Sequence, residues 1–155
     1  MKALKSLVFG ILLLSATAAF SQEGYLELFR RDMKADKLKL MISAMDLPEP
    51  ASSRFWTIYK EYDQELAKLG DRIVANIKDY AANELTLTDS KVDELINKGF
   101  SNREDRMNLL KKYYKKVKKE LGAKVAGRYV QAELQVLTLI DAKVMDAVPL
   151  VRVPK

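Results

Sequence analysis

The 155-residue chain has no cysteine and no histidine. Without cysteine there is no disulfide, no thiolate nucleophile and no sulfur ligand for a metal. An apolar leader would also have no thiol behind it to carry a lipid. Without histidine, the commonest metal ligand and the commonest general acid or base are gone. Glycine (6) and proline (4) are sparse, and no glycine-rich phosphate loop occurs. The carboxylates Asp63 and Glu65, and Glu104 and Asp105, sit among bases, and no serine stands beside a general base. The minimum constellation for catalysis is missing, so we expect neither an enzyme nor a cofactor. Met33, Met41, Met45, Met107 and Met145 fall mostly at helical core spacing and read as adaptable packing rather than as a metal site.

Charge is present, but moderate in balance: 27 basic against 21 acidic residues, +6 overall. Lys2 and Lys5 open the chain, residues 7–14 are apolar apart from Gly10, and residues 15–21 turn to small side chains. Ala16-Thr17-Ala18 and Ala19-Phe20-Ser21 both place small groups where signal peptidase requires them. We expect residues 1–21 to be a cleaved secretory signal, with the cut after Ser21 favoured over Ala18. The alternative is an uncleaved anchor, but the apolar stretch falls short of the ~20 residues that span a bilayer. Cleavage removes Lys2 and Lys5 and no acid, taking 27 basic residues to 25 against 21 acidic ones. A mature charge of +4 and export both argue against a nucleic-acid partner. A cysteine-free exported domain fits a bacterial periplasm better than an oxidising extracellular setting.

Four segments carry a helical apolar period. The first covers residues 25–45, with Leu26, Phe29, Met33, Leu40 and Ile42. The second covers residues 50–82, where Phe55, Tyr59, Tyr62, Leu66, Leu69, Ile73, Ile77 and Tyr80 form one seam. The third covers residues 89–121, with Val92, Ile96, Phe100, Met107, Leu110, Tyr114, Val117 and Leu121. Arg103 interrupts that stripe one turn after Gly99, which reads either as a local surface break or as a polar notch in a cleft. The fourth covers residues 124–148, with Val125, Tyr129, Ala132, Val136, Ile140, Val144 and Ala147, and Pro149 ends it. The links are short, which makes neighbouring helices antiparallel. The expected fold is all-α: a four-helix antiparallel hairpin or open bundle with long second and third helices. The helical domain would span residues 22–148 and an extended tail residues 149–155.

The most conspicuous cluster is Lys111-Lys112-Tyr113-Tyr114-Lys115-Lys116-Val117-Lys118-Lys119. It gathers six positive charges in about two and a half turns, with Tyr114 and Val117 expected to face the core. A solvated face is the plain reading. The functional reading is an electrostatic patch for acidic proteins or anionic lipid headgroups, with aliphatic stems and aromatics retaining what the charge attracts. Arg30 and Arg31 would extend it if the first helix packs nearby.

Three junctions open helices two to four: Leu47-Pro48-Glu49-Pro50-Ala51, Leu87-Thr88-Asp89-Ser90-Lys91 and Leu121-Gly122-Ala123-Lys124-Val125. Each puts a leucine before a helix start, and Thr88 is a sound N-cap. These junctions, with Phe55-Trp56-Thr57-Ile58-Tyr59-Lys60-Glu61-Tyr62 and Arg128-Tyr129-Val130-Gln131-Ala132-Glu133 after them, resemble the LTxxQ motifs of the Spy/CpxP family of periplasmic helical proteins. Leu87, Thr88 and Lys91 carry the likeness most directly, with Lys91 where the family has glutamine. The resemblance covers residues 45–150. It implies a small cradle-shaped helical homodimer that binds unfolding envelope proteins without ATP or dampens an envelope-stress sensor. The expected function is thus an exported binding protein whose partners are unfolded or envelope proteins. Alternatives are a structural or membrane-surface protein, or an envelope metal- or stress-sensor accessory.

Overall fold

The computed structural model describes residues 34–153. The leader reading, Arg30, Arg31 and the first nine residues of the first expected helix, 25–33, lie outside them. The described residues are all-helical: α1 over residues 34–45, α2 over Ala51–Asn83 and α3 over Asp89–Ala147. The chain divides into two compact units at Leu40–Met41. The described part of the first, residues 34–40, is helical, with a 4.0 Å ion pair between Asp36 and Lys39. The second unit holds the core and the cleft. No helix among the described residues is long and apolar enough to cross a membrane.

Local chemistry sets the ends of the helices. At the start of α2, Glu49 Oε2 accepts from the Ser53 hydroxyl at 2.8 Å and its backbone N–H at 3.4 Å. That serves a donor the helix leaves unmatched, beside a proline that has none to offer. At its end, the Asn83 side chain donates to the Asp79 carbonyl at 2.7 Å, and the Thr86 N–H donates to the Asn83 carbonyl at 2.9 Å. The turn that follows ends on Thr88, whose hydroxyl accepts from the Lys91 N–H at 3.3 Å. Asp89 then adds negative charge where the helix dipole favours it.

The expected break at Gly122-Ala123 appears inside α3. Gly122 has φ 85° and ψ 166°, a region that side-chain-bearing residues essentially do not occupy. The chain folds back there. Arg106 pairs with Asp141, and Arg103 meets Met145, so residues before Gly122 lie against residues after it in reverse order. Val148 leaves the helix with φ −102° and ψ 116°, and residues 149–153 carry no regular structure.

Antiparallel contact between α2 and the first arm of α3 is marked by Glu61–Lys116, Glu65–Lys112, Arg72–Asp105 and Asp79–Lys98. The second arm runs parallel to α2, as Tyr62–Glu133 and Tyr80–Pro149 show. The core between them takes Phe55, Ile58, Tyr59 and Tyr62 from α2, Leu109, Leu110, Tyr113 and Val117 from the first arm, and Ala126, Tyr129, Ala132 and Val136 from the second, with Met41 and Met45. The α2 seam is therefore the expected one.

The first arm of α3 differs. Leu95, Leu109, Leu110, Tyr113 and Val117 are buried, whereas Ile96, Phe100 and Met107 are 48%, 66% and 42% exposed. Tyr114, expected in the core, is only half-buried, and Tyr113 takes its place. The helix carries two apolar stripes one residue apart, and the inward one is the stripe flanked by residues that form ion pairs with α2.

Candidate functional site

The six lysines do not form one free patch. Lys112 Nζ donates to both Glu65 carboxylate oxygens at 2.8 Å, and Lys116 pairs with Glu61. Both also lie over the Tyr113 ring, 5.2 and 5.8 Å from its centroid. These two lysines fasten α3 to α2. Lys111, Lys115, Lys118 and Lys119 are exposed and have no acidic partner among the described residues. Lys118 lies 6.0 Å over the Tyr114 ring.

Of the motif residues, Leu87 is half-buried and Thr88 is the cap described above. Lys91 bridges Asp79 on α2 at 2.8 Å and Glu94 on its own helix at 3.1 Å. Hydrogen bonds from Lys91 and Lys98 hold the Asp79 carboxyl below the usual carboxylate range, and Lys98 and Lys91 do the same for Glu94. A lysine at this position thus fastens the α2–α3 turn by charge.

Deeper in, Glu133 is fully buried. Its Oε1 accepts from Tyr62 Oη at 2.9 Å and its Oε2 from Tyr59 Oη at 3.3 Å. Tyr129 lies edge-on to both rings, at 6.3 and 5.7 Å, and Phe55 and Trp56 close the cluster. Burial first, and the Glu133 carboxylate second, push the phenols of Tyr59, Tyr62 and Tyr129 well above their ordinary value. Burial and the hydrogen bond to Glu65 do so for Tyr113. The buried role of Glu133 was not anticipated from sequence, although its position on the Tyr129–Val136 stripe, one turn after Tyr129, was the available signal.

The solvent-facing stripe of the first α3 arm is Ile96, Phe100, Arg103, Met107, Lys111, Tyr114 and Lys118, spaced 4, 3, 4, 4, 3 and 4 residues apart. It runs about 33 Å at 1.5 Å per residue. Arg103 is no interruption there, because the stripe faces water. Arg103 also meets the other expectation, since it lines a cleft of about 130 Å³ between α2 and the two arms of α3. Ile73, Ile77, Val144 and Met145 give the cleft apolar walls. Arg106, bound through both terminal nitrogens to Asp141 at 2.8 and 2.5 Å, closes one side. Gly99, Asn102 and Asn76 complete the lining. Asn76 and Asn102 were missed from sequence. Asn102 stands on the Leu95–Leu109 stripe, at a position where an apolar residue belongs.

No protein-family model, no curated protein and no solved structure matches the chain.

Proposed function

We propose that the chain is an exported, non-catalytic binding protein of the Spy/CpxP kind, which holds unfolded or partner proteins of the bacterial envelope on its exposed basic and apolar stripe. The observation that carries this reading is the stripe from Ile96 to Lys118. Phe100 is 66% exposed and Met107 42% exposed, on the same helix face as Arg103, Lys111 and Lys118. Positive charge speeds encounter with acidic segments, while adjacent aromatic and thioether groups retain them with little demand on shape. Such surfaces on soluble proteins mark interaction sites. In this reading residues 1–21 are removed on export, and the α3 arms on either side of Gly122 serve as the third and fourth helices of a four-helix unit.

The test adds the mature protein, at several-fold molar excess, to a chemically unfolded client, and follows light scattering. Suppression that is lost when Phe100, Met107, Lys111 and Lys118 are all changed to serine supports the reading. Absence of suppression by the parent protein refutes it. Lys111, Lys115, Lys118 and Lys119, which have no acidic partner among the described residues, favour a second reading, association with an anionic membrane surface. Salt-sensitive flotation with phosphatidylglycerol vesicles, absent with phosphatidylcholine, would select it.

A further inference from the structure

The inward stripe of the first α3 arm runs Leu95, Gly99, Asn102, Arg106, Leu109 and Tyr113. Its middle three positions are not apolar, and the cleft lies where they fall. Asn102 is only 7% exposed, yet its amide makes no hydrogen bond with a described residue. Asn76 donates from Nδ2 to the Leu95 carbonyl at 3.1 Å, while its Oδ1 is buried without a partner among the described residues. Leaving a buried oxygen such as that of Asn76 unbonded is costly, and native proteins seldom do it without a reason. Across the cleft, Arg106 is neutralised by Asp141. Arg103 is not neutralised, since its described contact is Met145 Sδ at 4.0 Å. The cleft thus offers the Asn102 carboxamide, one available guanidinium and aliphatic walls.

We propose that this cleft binds an N-acylated aliphatic α-amino acid, the chemistry of the last residue of a peptide chain. The carboxylate pairs with Arg103, in the charge-assisted geometry arginine favours. The acyl carbonyl accepts from the Asn102 amide. The aliphatic side chain lies against Ile73, Ile77 and Val144. Gly99 leaves room for it, because a Cβ added there meets nothing within 4 Å. The inference does not rest on the role given to the exposed stripe.

The test titrates the isotope-labelled protein with N-acetyl-leucine and follows the side-chain amide resonances of Asn102 and Asn76. Saturable shifts with an affinity on the order of millimolar are expected for a ligand of this size. N-acetyl-leucinamide, which lacks the carboxylate, and 4-methylpentanoate, which lacks the amide, should each bind about tenfold or more weakly. Gly99→Leu should fill the cleft and abolish the shifts. Arg103→Gln, at an exposed position, should erase the preference for the acid over the amide. An acetylated Ala-Ala-Leu peptide with a free carboxylate separates the two sources: tighter binding identifies a chain end, equal binding a free small molecule. No saturable shift, equal binding of acid and amide, or undiminished binding by Gly99→Leu with its helix content intact would each overturn the proposal. Because Gly99→Leu spares the exposed stripe, its performance in the aggregation assay keeps a failure of the cleft distinct from a failure of the proposed function.

Discussion

Raising the pH should unfold this protein through its tyrosines. Tyr59, Tyr62, Tyr113 and Tyr129 are 5%, 0%, 2% and 1% exposed, and each phenol is pushed well above its ordinary value by burial and an adjacent carboxylate. A raised phenol holds its proton more tightly in the folded state than in the unfolded chain. The stability this confers is fully present below the unfolded value of about 10 and is lost as pH rises above it. At 1.36 kcal/mol per pH unit, each phenol costs about 1.4 kcal/mol near pH 11 and about 2.7 near pH 12. Four together cost roughly 6 and 11 kcal/mol, against a typical domain stability of about 5–15 kcal/mol. Cooperative unfolding between about pH 11 and 12 is expected. Tyrosinate absorbance and far-ultraviolet circular dichroism, recorded on the same samples, test it. Four tyrosines should ionise in one step that coincides with loss of helix, and Tyr59→Phe should move that step to higher pH. The sequence holds seven tyrosines, so more than three tyrosinates in a protein with intact helix would refute the reasoning.

Other perturbations separate the remaining devices. Gly122→Ala forces a side chain into a glycine-only conformation and should cost about 1–3 kcal/mol in urea melts. Gly70→Ala, on a helix where the added Cβ meets nothing, should stabilise by up to about 1 kcal/mol. Equal effects would mean that the chain does not reverse at Gly122. Glu133→Ala strips the acceptor from two buried phenols and should cost at least about 2 kcal/mol in the same melts. Tyr129→Phe removes a buried hydroxyl that finds no hydrogen-bond partner in range among the described residues and should cost much less than Glu133→Ala. Asp79 and Glu94 are held below the usual carboxylate range by Lys91 and Lys98, so their contribution is present above that range and is lost as pH falls below it, through the depressed folded-state values. Lys91→Gln should therefore flatten the acid limb of a stability-versus-pH curve and leave the alkaline limb unchanged.

The parts that were legible share one property: a single apolar stripe on a helix otherwise covered in charge. Phe55, Tyr59, Tyr62 and Tyr80 leave α2 one way to face, and that is the way it faces. Gly122, beside a leucine that ends one stripe and a valine that begins the next, marked the reversal. The first arm of α3 offered two stripes. Leu95, Leu109 and Tyr113 compete with Ile96, Phe100 and Tyr114, and helical periodicity cannot choose between neighbours only 100° apart. Choosing the wrong stripe made Arg103 look like an interruption and kept Asn102 out of view, since a polar residue draws attention only on the stripe known to face inward. Half of the lysine cluster's meaning was hidden for a similar reason. Whether Lys112 or Lys111 meets a glutamate depends on the register against α2, which lies outside the segment itself.

That register can be traced in the charges. Glu65, Arg72 and Asp79 are seven residues apart on α2, and Lys112, Asp105 and Lys98 are seven residues apart on α3, in reverse order. Glu65 meets Lys112 at 2.8 Å, Arg72 meets Asp105 at 2.5 Å and Asp79 meets Lys98 at 3.4 Å. Seven residues are two turns, so an apolar seam would tolerate sliding one helix past the other by a whole heptad. The sign of the charge alternates along each edge, and this penalises such a slip. Sliding one way sets Arg72 against Lys98 and Glu65 against Asp105, and sliding the other sets Arg72 against Lys112 and Asp79 against Asp105. Each pair is exposed enough to add little stability of its own. The discrimination lies in the repulsion that the wrong registers incur. Lys98, Asp105 and Lys112 also lie beside the Leu95–Tyr113 stripe of α3, so pairing them with α2 turns that stripe inward. They thereby send Phe100, Met107 and Lys111 to the surface and place Asn102 in the cleft, so both proposed binding features depend on charges that take no part in either.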